Sequence, residues 1–405
     1  MINPDSFYKL LIEHSTDFFT GVPDSLLKNF CAMLTEQSSK NNAAEKKHII
    51  AVNEGAAVAL ASGYHLATGK TALVYMQNSG IGNAVNPLLS LADGDVYRIP
   101  MILLVGWRGE PGVKDEPQHL KQGKVTCSLL EAMGIPYLIL SNREDEVRDQ
   151  LEECYTHIRK NNTPFALIVR KDTFSPYSPG TDIMHEEMPT EIFAMSREEA
   201  IEEIVRTSSQ NEVFISTTGM ASRELYELRE KFKMGHERDF LTVGSMGHAS
   251  SLSLALALQR PEIPVTCIDG DGAALMHMGS MATIGACKPV NLRHFVLNNG
   301  AHDSVGGQPT IARAIDLSGI ARCSGYDKVF SVKTLEELRN ILSETSSVGK
   351  NRTTGPLFIE IMVRKGNRND LGRPRSSPQE NKETFMQFIS GGKNNEKPIC
   401  CGKRS

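Results

Sequence analysis

Short apolar runs of strand length alternate with longer segments of helical period along most of the chain. In the first half the runs are Phe18–Phe19, His48–Val52, Thr71–Met76, Met101–Val105, Pro136–Leu140 and Phe165–Val169. Helical patterns lie between them, at Asp24–Thr35, Glu54–Ala67 and Glu144–Ile158. Such βα alternation predicts a parallel sheet covered on both faces. A polar stretch rich in Pro, Ser and Glu, about residues 175–190, then breaks the pattern. The alternation resumes with a helix from Ser196, strand Val213–Ser216, helix Ala221–Phe232, strand Phe240–Val243 and helix His248–Gln259. Strand Val265–Ile268, a small-residue helix, strand His294–Leu297 and strands near Val329 and at Pro356–Val363 complete it. The expected fold class is α/β, with two doubly wound parallel-sheet domains at residues 1–178 and 196–370 and a linker at 179–195. Residues 371–405 are expected to form a polar tail carrying one helix anchored by Phe385, Met386 and Phe388.

Composition narrows the function classes. With 405 residues the chain can build two or three domains with substantial cores. Its net charge of −4 argues against a nucleic-acid surface and against electrostatic membrane binding. The eight cysteines include no CxxC pair, and Cys267 and Cys287 sit in apolar contexts, so a reducing compartment is expected rather than a disulfide framework. No run reaches membrane-spanning length and no basic region followed by an apolar core opens the chain, which points to the cytoplasm. Cys400-Cys401 near the end does not form a prenylation box.

The chemistry concentrates between Val265 and Pro309. A buried strand runs into Gly270-Asp271-Gly272, a helix follows, and a second buried strand ends in Asn298-Asn299. Parallel strands joined by a helix bring both strand ends to one edge of the sheet. There the Asp271 carboxylate and the Asn299 amide can converge on one hard cation, with the Ala301 carbonyl just beyond. Oxygen ligands with room for water suit Mg²⁺, which usually keeps a phosphate in its shell. Gly270 and Gly272 let the backbone approach closely, and the helix N-terminus after Gly272 offers N–H groups to an anion. A plain βαβ unit with a polar loop is the alternative for this stretch.

Gly-Asp-Gly, then 25 residues from Ala273 to Leu297, then Asn-Asn resembles the thiamine diphosphate motif. The resemblance implies a pyrophosphate-binding domain here and a pyrimidine-binding domain in the first half, with no central third domain. It implies that Gly270, Asp271, Gly272, Ala273 and Asn299 hold the diphosphate and its Mg²⁺. Glu54, in Asn53-Glu54-Gly55-Ala56-Ala57, matches the glutamate that hydrogen-bonds the pyrimidine ring and activates the cofactor. By itself a carboxylate at that position is what a helix dipole favours. Gly244 of Gly244-Ser245-Met246-Gly247 matches the acceptor of the aminopyrimidine, and Met246 the bulky residue that bends the cofactor. Thr218 and Gly219 resemble a further cofactor loop, with a simple helix cap as the alternative.

Further segments resemble the phosphonopyruvate decarboxylase family. They are Phe19 to Ser25, Gln77 to Gly80, Gly106 to Gly112, Asp115 to His119 and Asn299 to Gln308. The implied reaction is decarboxylation of 3-phosphonopyruvate to phosphonoacetaldehyde and CO₂, within phosphonate biosynthesis. A dianionic tail needs donors and positive charge, which Arg108 and Lys114 could supply from the loop after Met101–Val105. A solvated loop is the alternative for both. His119 is the expected proton donor, and His302 is expected beside the cofactor. Asp24, Ser25, Asn78 and Ser79, at strand ends, could orient the substrate. Sulfopyruvate decarboxylase or another decarboxylase of anionic 2-oxoacids is the nearest alternative. A catalytically inactive thiamine diphosphate-binding regulator is the alternative outside enzymes. The resemblance also implies self-association, with active sites built between subunits.

Overall fold

The computed structural model describes residues 1–40, 47–178, 193–345 and 354–391. The linker core at 179–192, the tail from 392 and Cys400-Cys401 lie outside the described residues. The described chain divides into two units: the chain before Phe193 together with Gly300–Arg313, and Phe193–Asn299 together with the chain from Ala314.

In the first unit α1 (Pro4–Glu13) precedes β1 (Phe19–Gly21), α2 (Lys28–Lys40), β2 (His48–Ile50), α3 (Glu54–Thr68), β3 (Ala72–Gln77) and α4 (Ile81–Pro87). Then come β4 (Met101–Gly106), α5 (Pro117–Ala132), β5 (Tyr137–Ile139), α6 (Glu144–Asn161) and β6 (Phe165–Val169). All strand pairs are parallel and the order is β2-β1-β3-β4-β6-β5. Successive side chains on a strand point to opposite faces. Leu73, Tyr75, Ile102 and Leu104 therefore join one core with Phe7, Leu11 and Phe30. Val74, Met76, Leu103 and Val105 join another with Ala57, Val58 and Trp107. With both faces occupied, only the strand ends are left for ligands, and the order reverses between β1 and β3, where such sheets bind them.

Helix α2 begins at Lys28 and not at Asp24, as the apolar pattern suggested. The Asp24 side chain accepts from the Leu26 N–H at 2.9 Å, and this local bond holds residues 24–27 in a turn.

The second unit runs α7 (Arg197–Arg206), β7 (Val213–Ser216), α8 (Met220–Phe232), β8 (Asp239–Leu241), α9 (Ala249–Gln259) and β9 (Val265–Gly270). Helices α10 (Asp271–Met276) and α11 (Gly279–Cys287) follow, then β10 (Leu292–Asn298). A short antiparallel ribbon, β11 (Ala301–His302) and β12 (Gln308–Pro309), falls in the segment that packs with the first unit. The chain returns with α12 (Leu317–Ser324), β13 (Lys328–Val332), α13 (Leu335–Thr345), β14 (Leu357–Met362) and α14 (Pro378–Ile389). Its sheet is again wholly parallel, ordered β13-β14-β10-β9-β7-β8, with the reversal between β7 and β9.

Three features depart from the sequence pattern. The single helix expected after Gly272 is two, broken at His277 and Met278 and restarting at Gly279, the poorest helix former short of proline. Phe193 and Met195, expected in the linker, are buried, as apolar side chains beside a core should be. Gly300–Arg313, expected with residues 196–370, joins the first unit, where Gln308 Nε2 donates to the Lys28 carbonyl at 3.4 Å. The helix expected around Phe385 is α14, with Phe385 buried and Met386 exposed. Among the described residues no helix is long and apolar enough to cross a membrane, and Cys31, Cys127, Cys154, Cys267, Cys287 and Cys323 are free.

One partly buried pair gives the first unit a pH dependence. His48 Nε2 lies 2.8 Å from the hydroxyl of the fully buried Tyr75, and burial pushes the His48 pKa from 6.5 down to about 4. Between those values the unfolded chain binds the extra proton and the folded one does not. The contribution of this ring is therefore intact above pH 6.5 and lost as pH falls toward 4. His48→Gln is expected to flatten the stability profile over that window in urea titrations. An unchanged slope would show that other groups set it.

Candidate active site

In the first unit Glu54 is the first residue of α3, directly beyond the end of β2. Asn53 caps the helix by accepting from the Gly55 N–H at 2.8 Å, which fixes where the helix starts. Glu54 is buried, its Oε2 accepts from Asn83 Nδ2 at 2.7 Å, and Oε1 takes no hydrogen bond from the described residues. A side chain on Gly80 would collide with that carboxylate, so a glycine there is what lets Glu54 lie flat against the next turn. The result is an oriented carboxyl with one oxygen held and one to offer, as a pyrimidine ring nitrogen requires.

At the ends of β1, β3 and β4 a second group gathers. Asp24 is fully buried and its Oδ2 accepts from Gln77 Nε2 at 2.8 Å. Burial raises the Asp24 pKa, against the Gln77 and Leu26 donors and the charge of Arg108. Arg108 donates from Nη1 to Ser25 Oγ at 2.8 Å and forms a two-point pair with Asp115, from Nε at 2.8 Å and from Nη2 at 2.5 Å. Desolvation would raise the Asp115 carboxyl, but Arg108 and the Glu116 and Gly109 N–H groups hold it well below the carboxylate range. Asn78 is buried with its side chain committed: Nδ2 donates to the Arg108 carbonyl (2.8 Å) and Thr126 Oγ1 (2.9 Å), and Oδ1 accepts from the Arg108 N–H (3.2 Å). Asn78 therefore serves Arg108. Ser79 is exposed and donates to Gln77 Oε1 at 2.7 Å, and Lys114 is exposed at the tip of its loop.

His119 lies in the first turn of α5, buried, with Nδ1 unpartnered. Burial, then the nearby Arg108 charge, lowers its pKa, so the ring is neutral at pH 7. Side chains on Gly109 or Gly123 would run into backbone, because the loop after β4 lies directly on α5. Trp107 Nε1 ties the same place by donating to the Gly123 carbonyl at 2.9 Å. Burial also pushes His302, in β11 beside the buried Ala301, down to about 4.

In the second unit the loops after β7, β8 and β9 share one sheet edge. The Gly244 N–H donates to Thr218 Oγ1 at 3.0 Å, joining two of the expected cofactor segments. Gly219 and Gly244 have φ of 100° and 70°, conformations that side-chain-bearing residues avoid. Met246 is partly exposed in the same loop. The register of β9 and β10 pairs Leu297 with Gly270, so Asp271 and Asn299, both buried, emerge at the same end of neighbouring strands. Asp269 Oδ1 accepts from the Gly270 N–H at 3.0 Å and shapes the turn, while Asn298 Nδ2 donates to the buried Glu360 at 2.8 Å and fixes the end of β10. A Cβ on Gly270 would meet open space, and Gly272 and Ala273 are buried in the first turn of α10.

These residues fit thiamine diphosphate and Mg²⁺. Carboxylate, amide and carbonyl oxygens are the hard donors Mg²⁺ prefers, and the open glycine turn leaves room for a diphosphate beside them. Gln77, Asn83, Asp115 and Glu360 were not singled out from sequence. Gln77, Asn83 and Glu360 depend on partners distant in the chain, at Asp24, Glu54 and Asn298, whereas Asp115 meets Arg108 seven residues back in its own loop.

Residues 4–128 match the family described as thiamine pyrophosphate enzyme, N-terminal TPP binding domain, and residues 217–361 match its C-terminal TPP binding domain. Phosphonopyruvate decarboxylase of Streptomyces viridochromogenes is 34% identical over 85% of this chain and 85% of its own length. That of Streptomyces hygroscopicus is 35% identical over 85% of this chain and 84% of its own. Sulfopyruvate decarboxylase of Methanosarcina acetivorans is 28% identical over 96% of this chain and 98% of its own. The two sheets, the two matched domains and the length of these similarities make the chain a thiamine diphosphate-dependent decarboxylase, a member of the family that includes phosphonopyruvate decarboxylase.

Proposed function

We propose that the protein decarboxylates 3-phosphonopyruvate to phosphonoacetaldehyde and CO₂, with thiamine diphosphate and Mg²⁺, as a step of phosphonate biosynthesis in the cytoplasm. Support for the phosphonate comes from Arg108, an oriented cation at the carboxyl edge of the first sheet beside Ser25 and Asp24. The identities of 34% and 35% to two phosphonopyruvate decarboxylases, against 28% to a sulfopyruvate decarboxylase, favour the same reading. Sulfopyruvate, which swaps phosphonate for sulfonate, is the second reading.

Residues 1–178 act as the pyrimidine domain and 196–370 as the pyrophosphate domain in this proposal. Asp271, Asn299 and the Ala301 carbonyl hold Mg²⁺, and Gly270, Gly272 and Ala273 receive the diphosphate. Thr218, Gly219, Gly244 and Met246 seat the ring system. Glu54 shares a proton with the aminopyrimidine, with Asn83 keeping its carboxylate in plane. When bound, thiamine diphosphate supplies the electron sink that loss of CO₂ from a 2-oxoacid needs. His119 delivers the proton that the substrate carbon takes up after CO₂ leaves, donating it as the imidazolium and returning to the neutral ring that burial and Arg108 favour, and His302 lines the same space. Ser25 and Arg108 bind the substrate's anionic groups, and Asp24 orients Gln77 beside them. Asn78 positions Arg108, Ser79 lines the strand end, and Lys114 adds positive charge from the loop.

The site is proposed to be completed by a second copy of the chain, which would place Glu54 of one copy against the metal end of another. Helix α9 supports self-association: its sequence is apolar around most of its circumference, yet Leu252 and Leu258 are exposed. Helix α3 likewise exposes Leu60 and Leu66.

Three outcomes are expected. Phosphonopyruvate should be turned over with a higher kcat/KM than sulfopyruvate or pyruvate, and stripping cofactor and Mg²⁺ should abolish CO₂ release until both are restored. The substrate assignment fails if sulfopyruvate is preferred. Glu54→Gln should lower kcat by about a hundredfold or more, the scale of a lost proton-transfer group. Equal release from both forms would favour an inactive regulator that merely binds the cofactor. Sedimentation at assay concentration should give a dimer or larger, and a fully active monomer would contradict the shared site.

A further inference from the structure

Arg108 reaches the site edge with most of its donors already placed. Along one side, Nε and Nη2 grip the two oxygens of Asp115 at 2.8 and 2.5 Å. The remaining nitrogen, Nη1, donates to Ser25 Oγ at 2.8 Å. Asp115 is itself anchored, accepting from the Gly109 and Glu116 N–H groups at 2.8 Å each. The Arg108 backbone is held on both polar atoms by the buried Asn78. A long side chain that would otherwise sample many rotamers is thus ordered before any ligand arrives.

We propose that Asp115 is the positioning residue for the substrate's anionic tail, holding one edge of Arg108 so that Nη1 and the Ser25 hydroxyl together receive a tetrahedral oxyanion. The inference rests on the proposed function above and adds to it a residue that selects for the tail. Of the five N–H groups of the guanidinium, three are engaged, leaving one on Nη1 and one on Nη2. Ser25, already accepting from Nη1, is left with its own O–H to donate. A phosphonate or sulfonate brings three acceptor oxygens to such donors at the far end of the substrate, where an untailed 2-oxoacid has only a methyl group. Because Asp115 is anionic, the Arg108–Asp115 pair is close to neutral. Recognition then depends on where the donors point more than on net charge.

Two roles for Asp115 predict opposite results. As a counter-charge it would weaken binding of an anion, and its removal would tighten it. As a positioning residue its removal lets the guanidinium swing away and loosens binding of tailed substrates alone. The test is Asp115→Asn, assayed as the full-length holoenzyme with thiamine diphosphate and Mg²⁺. Phosphonopyruvate is the substrate and pyruvate the competitor. KM for phosphonopyruvate should rise about ten- to a hundredfold, the scale of a lost charge-assisted contact, with kcat and the Ki of pyruvate little changed. Ser25→Ala, which leaves the loop intact, should raise the same KM without moving the thermal midpoint, so misfolding of the first variant leaves the question answerable. A KM that falls or stays constant in folded Asp115→Asn overturns the proposal, as does an unchanged KM in Ser25→Ala or an equal weakening of pyruvate. If wild-type enzyme prefers sulfopyruvate, the substrate assignment fails, and the same variants assayed with sulfopyruvate still decide the role of Asp115.

Discussion

A parallel sheet with both faces buried has nowhere to do chemistry except beyond its strand ends, and both sheets of this chain accept that constraint. In the first, β3 and β4 are apolar on both faces, and polarity begins abruptly at Gln77, Asn78 and Arg108. Polar groups at such an edge are partly desolvated, so each must find a partner or be costly to fold. Glu54 finds Asn83, Asp24 finds Gln77, and Arg108 finds Asp115 and Ser25. Folding therefore selects an ordered set of donors and acceptors, which is also what catalysis requires of them.

The second sheet meets the constraint differently. Its core on one face is aliphatic and aromatic, built on Ile268, Phe295, Leu297, Ile359 and Ile361. The alternate positions include Asp269, His294 and Glu360, all buried. Glu360 receives Asn298 Nδ2 at 2.8 Å and Ser318 Oγ at 3.1 Å, and His294 Nδ1 meets the Tyr326 hydroxyl at 2.9 Å. Asn298, next to the expected metal ligand Asn299, thereby ties the end of β10 into the interior. The hydrogen-bonded Asn298–Glu360–Ser318 group rigidifies what it touches, whereas Asp269 Oδ2 and His294 Nε2 are buried 3.6 Å apart without a hydrogen bond.

Much of this was legible in the order of residues. Strand runs such as Phe165–Val169 and Val213–Ser216 match the observed elements residue for residue, because buried strands must be continuously apolar. That Gly270-Asp271-Gly272 and Asn298-Asn299 end neighbouring strands, and that Glu54 opens a helix, was legible because a βαβ topology converts such spacing into proximity. What escaped depended on which partner a polar side chain meets. The delayed start of α2 follows from a side-chain bond at Asp24, and no periodicity encodes it. Asn83 and Asp115 are common polar residues whose importance lies in the partner each meets. The attachment of Gly300–Arg313 to the first unit rests on packing that local pattern does not reveal.

The side chains that hold Glu54 and those that hold Arg108 form separate sets, with no described hydrogen bond shared between them. Glu54 is braced by Asn83 from α4, whereas Arg108 is braced from its own loop and from Asn78. Under the proposed roles, such a division separates the residues that meet the acid's tail, Ser25, Asn78, Arg108 and Asp115, from the glutamate that meets the cofactor, so one set can be retuned without disturbing the other. A lineage could exchange one tailed keto acid for another in a few substitutions, without passing through an inactive ancestor.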